Sequence, residues 1–259
     1  MFKTLGLQLF TIRDYMKDPA FADLSLATVR ALGYTEAQAA GCNFDAKIFG
    51  DLLKKHGIKL VGNHCSLDDI LKTPEKTMEL HRTWGTTNLG VGGIPHEARQ
   101  GGEALRKFIK DYNTAAEQFA KEGFKLTFHN HNYEFEQIDG TKTLMDIFAE
   151  EFDPENISFV LDTCWVAAGG GDVRYWIEKL AGRIDILHLK DLSVKVPCAP
   201  TPEISLREVG YGNLYWDGIM ESAAKAGVKH YCVEQDSNWT GTPFESLRMS
   251  AEFLKKYQK

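Results

Sequence analysis

Four short apolar runs in this sequence end on side chains able to ligate a metal or move a proton. They are Leu126 to His129, Ile157 to Asp162, Ile184 to His188, and Lys229 to Glu234. Asp162, His188 and Glu234 offer a carboxylate, an imidazole and a second carboxylate, one from each of three successive runs. Mixed nitrogen and oxygen donors of this kind suit a divalent ion such as Mn²⁺, Co²⁺, Zn²⁺ or Mg²⁺ rather than one selected by thiolates. His129 is a natural fourth donor, and Glu134, a few residues into the following loop, competes with it. If His129 ligates, Glu134 is free to act as a base or to bind a hydroxyl group. Lys190 shares the parity of His188 and can set a cation against a developing enolate oxygen; the alternative is a salt bridge to Asp191 or Asp162. His64 stands at the end of the third expected strand, 58–62, where a substrate contact or a base is expected.

A wider ring of residues has weaker claims. His131, Asn130 and Asn132 are placed to orient the ligands, and His131 can equally be a satisfied buried histidine. Glu36, Gln8 and Arg13 are expected near the same opening. Trp165, Trp239 and Tyr211 offer apolar walls for a substrate ring. Cys164 lies beside Asp162 but has no partner base, and the glycines at 169–171 read as a helix-entry turn because no phosphate-binding lysine follows.

These residues need a scaffold that brings strand ends together. The first strand is expected at Leu5 to Phe10, with further strands near residues 34–38, 58–62, 87–91, 124–128, 157–162, 184–189 and 229–234. Helical patterns intervene. The clearest runs from about Gly102 to Glu122, with Leu105, Phe108, Ile109, Tyr112, Ala116 and Phe119 on one face and Gly123 as its stop. Strands alternating with helices imply parallel pairing through right-handed crossovers. Eight such units in 259 residues predict a single (β/α)8 barrel spanning 1–259, whose C-terminal mouth gathers the strand-end side chains. No G-x-G-x-x-G follows the first strand, which weighs against an open doubly wound sheet. The stretch from Asp191 to Tyr215 reads as a long irregular loop, with a lid or an interface as its expected use.

Composition sets the outer bounds. A net charge of −6 leaves no basic footprint for a nucleic acid. The five cysteines have no C-x-x-C spacing, so a reducing cytoplasm is expected rather than a disulfide framework. No apolar stretch approaches membrane-spanning length, and the start lacks a signal-peptide core.

The motifs Gly6-Leu-Gln-Leu-Phe-Thr-Ile-Arg-Asp14, His129-Asn-His-Asn-Tyr-Glu-Phe135, Leu161-Asp-Thr163, His188-Leu-Lys-Asp191 and Val233-Glu-Gln-Asp236 together resemble the xylose isomerase-like TIM-barrel superfamily of sugar phosphate isomerases and epimerases. The resemblance implies a divalent metal held by Asp162, His188, Glu234 and one group from the fifth strand. Two departures stand out. Ketose epimerases of that superfamily typically carry a glutamate where His129 stands. Trp165 occupies the position, three after the aspartate, where repair endonucleases and many epimerases place a histidine. The function expected is a metal-dependent isomerase or epimerase of a sugar or sugar derivative, working through an enediolate with Glu234, Glu134, Lys190 and His64 as the chemical groups. The alternative is a lyase or dehydratase acting on a keto-sugar, an inosose or a 3-keto-glycoside. A homo-oligomer is also expected, from the 191–215 stretch.

Overall fold

The computed structural model describes residues 2–195 and 203–259. In chain order the elements begin with β1 (Leu5–Gln8), α1 (Pro19–Ala31), β2 (Tyr34–Ala39), α2 (Ala46–Lys55) and β3 (Lys59–Cys65). Then come α3 (Leu67–Lys72), α4 (Pro74–Trp84), β4 (Asn88–Val91), α5 (Gly102–Lys121) and β5 (Lys125–His129). A small hairpin, β6 (Gln137–Asp139) and β7 (Lys142–Thr143), leads into α6 (Leu144–Glu151). The chain continues through β8 (Ile157–Asp162), α7 (Thr163–Ala168), α8 (Val173–Lys179) and β9 (Ile184–Leu189). A second hairpin, β10 (Asp191–Lys195) and β11 (Glu203–Arg207), is followed by α9 (Trp216–Lys225), β12 (His230–Val233) and α10 (Pro243–Leu254).

Eight of these strands close a parallel barrel in the order β1-β2-β3-β4-β5-β8-β9-β12, returning to β1. This is the (β/α)8 barrel that the alternation of strands and helices predicts. Its helices begin where the sequence supplies caps. Asp18 accepts from the backbone of Ala20 and Phe21 at the start of α1, and Asp172 does the same for α8. Thr143 and Thr242 form capping boxes with Asp146 and Glu245. Between strands and helices lies an aromatic-rich core in which Tyr112, Phe119, Phe128, Phe148, Phe152 and Phe159 are fully buried. Gly90 permits the close approach of β4 to β5: a Cβ there would lie 1.6 Å from the Thr127 carbonyl oxygen.

Two expectations are corrected. The first strand ends at Gln8, and Leu9–Tyr15 turns into a 3-10 helix, with the Gln8 side chain accepting from Phe10 N at its start. The stretch from Asp191 to Tyr215 is not wholly irregular. Asp191 to Lys195 pairs antiparallel with Glu203 to Arg207, from Asp191↔Arg207 to Lys195↔Glu203. Pro197, Pro200 and Pro202, which also fall in this stretch, lie outside the described residues. The loop after β11 is held by one buried carboxylate. Asp191 accepts from Gly210 N, Gly212 N, Leu214 N and the Trp216 indole. That local chemistry, rather than hydrophobic periodicity, orders the segment, so a pattern search passes over it.

Candidate metal centre and catalytic cavity

The barrel interior is layered. Val160, Ile186 and Cys232, joined by Val61, form a small buried apolar cluster on the barrel axis. Two residues further along their strands come Asp162, His188 and Glu234, which the period of two places on the same inward face. Asp162 and His188 are register partners across β8 and β9, and Glu234 N donates to Leu189 O across to β9. The apolar cluster is therefore the floor on which the polar groups stand.

One donor atom from each of His129, Asp162, His188 and Glu234 falls within 4.8 Å of the other three, and all four residues are buried. Hydrogen bonds fix which atoms face inward. Gln8 Oε1 accepts from Phe10 N, so its amide nitrogen must donate to Gln38 Oε1, at 3.1 Å. Gln38 Oε1 also meets His188 Nε2, which is therefore the protonated nitrogen. Nδ1 of His188 is left facing Glu234 Oε2 at 3.0 Å and Asp162 Oδ2 at 3.7 Å. In the same way His129 donates Nδ1–H to Val160 O at 3.3 Å, which frees Nε2.

A divalent ion fits this set. Asp162 Oδ2 and His188 Nδ1 are buried without a hydrogen bond of proper geometry, although they lie so close together. Asp162 is steadied through its other atoms: Oδ1 accepts from Trp165 N, and its own N–H donates to Asn130 Oδ1. Asn130 thus holds the backbone at Asp162. Ionisation agrees as well. Burial alone would raise the Glu234 carboxyl, but Lys190 and His188 hold it well below the usual range. Burial and the neighbouring imidazoles keep His129 neutral. His188 behaves oppositely: against burial, Glu234 and Asp162 lift it to about 9. In the absence of a cation, then, a proton takes its place between these carboxylates.

Lys190 is not paired with Asp191. Its Nζ lies 2.6 Å from Asp236 Oδ2, 3.2 Å from Glu234 Oε2 and 3.5 Å from Asp162 Oδ2. The Trp165 ring flanks it at 4.7 Å. Despite burial, these carboxylates raise its pKa, so it stays charged. Asp236 escaped the sequence reading. Burial and Glu234 push its carboxyl up to about 6. Its position after an apolar run ending on Glu234 was the available signal. Gln38 also went unnoticed, because nothing local marks a glutamine that serves a histidine 150 residues away.

A cavity of about 200 Å³ opens above these groups, lined by residues that include Gln8, Phe10, His64, His131, Lys190 and Asp236. His64 belongs there as expected. Its ring centroid is 4.9 Å from that of His129 and 5.8 Å from that of His188, and its Nε2 is buried without a partner. Burial, followed by the charge on His188, lowers its pKa to about 3, so it is neutral. His64, His129 and His188 also bring donor atoms within 4.8 Å of one another. His131 stacks on Tyr133, with ring centroids 5.1 Å apart, and stands 5.8 Å from Trp165.

Three expected site residues lie elsewhere. Glu36 does not reach the mouth. Two residues before Gln38 on β2, it points to the opposite end of the barrel and meets His230 Nδ1 at 2.9 Å, at the start of β12. Glu134 is fully buried but lines no part of the cavity, because its Oε2 accepts from His131 N as the return half of a capping box. Its Oε1 has no partner, and burial raises the carboxyl to about 7 against the pull of the His131 N–H and Arg99. It stands outside the group of converging donors, and His129 stands inside it. Trp239 packs near Arg13, whose guanidinium is 5.9 Å from its ring, and it too lies outside the cavity lining. Cys164 is buried against Leu192 and Leu206, and burial raises its thiol pKa, as befits a structural cysteine.

Among solved structures, the chain is similar to a sugar phosphate isomerase/epimerase from Parabacteroides distasonis, with 20% identity, a TM-score of 0.80, and 98% of each chain covered. It is also similar to the probable 3-DHS dehydratase of Bacillus anthracis involved in petrobactin synthesis, at 16% identity and a TM-score of 0.71 over 97% of this chain and 98% of that one. An L-ribulose 3-epimerase matches with 14% identity and a TM-score of 0.70, over 97% and 93% of the two chains. At these identities the likeness is one of fold. No curated protein matches the sequence. No helix among the described residues is long and apolar enough to cross a membrane. The xylose isomerase-like TIM barrel family matches residues 27–257, and the chain belongs to it.

Proposed function

We propose that this protein is a divalent-metal-dependent enzyme that removes a proton next to the carbonyl of a sugar or sugar derivative, giving an isomerase or epimerase through an enediolate. The observation that carries this reading is the convergence of His129, Asp162, His188 and Glu234, with both imidazole tautomers fixed by hydrogen bonds. When bound, the ion supplies electrophilic polarisation of a carbonyl and an adjacent hydroxyl, which acidifies the C–H between them. The remaining work falls to side chains. Glu234 is ionised and reaches the cavity, so it is the base. Lys190 presents its ammonium beside the developing oxyanion and needs no reorganisation, because three carboxylates already fix it. Neutral His64, with its free Nε2, hydrogen-bonds a substrate oxygen.

A second reading, elimination from the same enolate by a lyase or dehydratase, draws support from Glu134. Epimerisation is best served by a second acid on the far face of the substrate, and the Glu134 carboxylate is engaged with the His131 N–H instead. Elimination needs no such group.

Both readings meet one test. Protein supplied with Mg²⁺ is incubated in D₂O with ketoses, inososes and 3-keto-glycosides and followed by NMR. Deuterium entering an intact skeleton marks the isomerase or epimerase; loss of water or of an aglycone marks the lyase. Glu234→Gln should slow either outcome by about 10²-fold or more, and undiminished turnover would remove Glu234 from its role.

A further inference from the structure

A second chamber of about 470 Å³ adjoins the catalytic cavity at the C-terminal ends of β2 and β3, and Ala40 and His64 line both spaces. Phe44, Leu80, Cys65 and Trp84 form its walls, and Trp84 and Phe44 each meet Phe49 edge-on. The two spaces differ in chemistry. In the catalytic cavity His64 Nε2 is buried without a partner. In the chamber the side chains of Asn63, Trp84, Cys42 and Cys65 are already hydrogen-bonded, and His64 is shared with the catalytic cavity. Asn63 Oδ1 accepts from Gly41 N, and its amide nitrogen meets His81 Nε2. The Trp84 indole donates to Ala46 O, and the thiols of Cys42 and Cys65 donate to Phe44 O and Gly90 O. Only Ser66 and Asp69 bring polar atoms to its rim, where Ser66 Oγ donates to Asp69 Oδ2, and no lysine or arginine lines it.

These facts bear on what else the substrate carries. At about 200 Å³ the catalytic cavity lies below the roughly 300–1,000 Å³ of sites that take drug-sized ligands, and the adjoining chamber brings the combined space into that range. Walls built from Phe44, Leu80 and Trp84 gain by burying apolar surface, and the polar groups beside them are already engaged with one another or with backbone. An anion meets the Asp69 carboxylate and no cation. We propose that the chamber is a second substrate subsite, and that the substrate is a keto-sugar derivative bearing an apolar or aromatic substituent, such as an aryl 3-keto-glycoside, rather than a free or phosphorylated monosaccharide. The inference rests on the sugar reading above and names the substrate class of that same site.

The test is calorimetric and NMR titration of the full chain, with Mn²⁺ for calorimetry and Mg²⁺ for NMR, against paired methyl and phenyl 3-keto-glycosides of glucose, galactose, mannose and xylose, and against glucose 6-phosphate. At least one phenyl glycoside should bind about tenfold or more tightly than its methyl partner, and the sugar phosphate should gain nothing. Phe44→Ala, which removes a wall, and Cys42→Phe, which fills the space, should each erase that preference and leave methyl glycoside affinity unchanged. A circular dichroism melt establishes that each variant is folded, and contacts between aryl protons and Phe44 in the unsubstituted protein provide a readout that needs no variant. Equal affinity for the methyl and phenyl partners would overturn the subsite and leave the sugar reading standing. Binding of neither glycoside would overturn both.

Discussion

Replacing Lys190 with Met keeps most of the side-chain volume and removes one charge from the most tightly packed group of ionisable residues in the barrel. Lys190 is 1% exposed, and its ammonium faces Asp236, Glu234 and Asp162 at 2.6, 3.2 and 3.5 Å. Without it, Asp162 and Glu234 retain the His188 imidazole as the cation between them. Removing one partner of a buried pair typically costs about 3–5 kcal/mol, because the remaining charge has lost its compensation. For a chain of this size that corresponds to a melting temperature roughly 6–20 °C lower. The measurement is urea denaturation with a chelator and again with excess Mn²⁺. We expect the full loss with chelator and a partial recovery with the ion, about 2.7 kcal/mol when free metal is near 100 times its Kd. The exposed pair Lys47–Asp51 is the control, since Lys47→Met should change stability by less than about 1 kcal/mol. A Lys190→Met protein within about 1 kcal/mol of the original in chelator would refute the claim that these carboxylates depend on the ammonium. If stability falls and C–H exchange does not, Lys190 is structural and the oxyanion contact is wrong.

Further outcomes follow from the same geometry. Gln38→Leu removes the acceptor that keeps the proton on His188 Nε2, so Co²⁺ affinity, read from its visible absorption, should weaken by about 10- to 100-fold; unchanged affinity would mean that the tautomer is fixed by something else. Glu134 governs a pH effect whose sign is set by its raised pKa. The folded state holds its proton up to about 7, whereas the unfolded chain releases it near 4.5, so this contribution is full below 4.5 and is lost as pH rises to about 7. The span corresponds to about 3 kcal/mol. Glu134→Gln should flatten that part of the stability-versus-pH curve measured by urea denaturation, and an unaltered slope would assign it to other groups.

Some of this site could be read from local pattern alone. Asp162, His188 and Glu234 each close a run of β-forming residues, and the two-residue period puts each above a buried apolar neighbour, Val160, Ile186 and Cys232. The alternation of strands and helices was enough to give a closed parallel barrel. The sequence left His129 and Glu134 as rivals, because both follow the same strand and either can be reached by a turn of the loop. The structure places them apart: a capping box at 131–134 draws the Glu134 carboxylate to a backbone N–H, and His129 lies with the other donors.

What only the tertiary structure decided has a common physical cause. Glu36 and Gln38 sit two residues apart on one face of β2, about 7 Å along the strand. One meets His230 at the lower end, and the other meets His188 beneath the mouth. Neighbouring side chains on a barrel strand serve different layers, and the assignment depends on the stagger with which all eight strands close. That stagger belongs to no single segment. The sequence therefore determined which side chains have the chemistry and which strands carry them, while barrel closure determined which of them share a level.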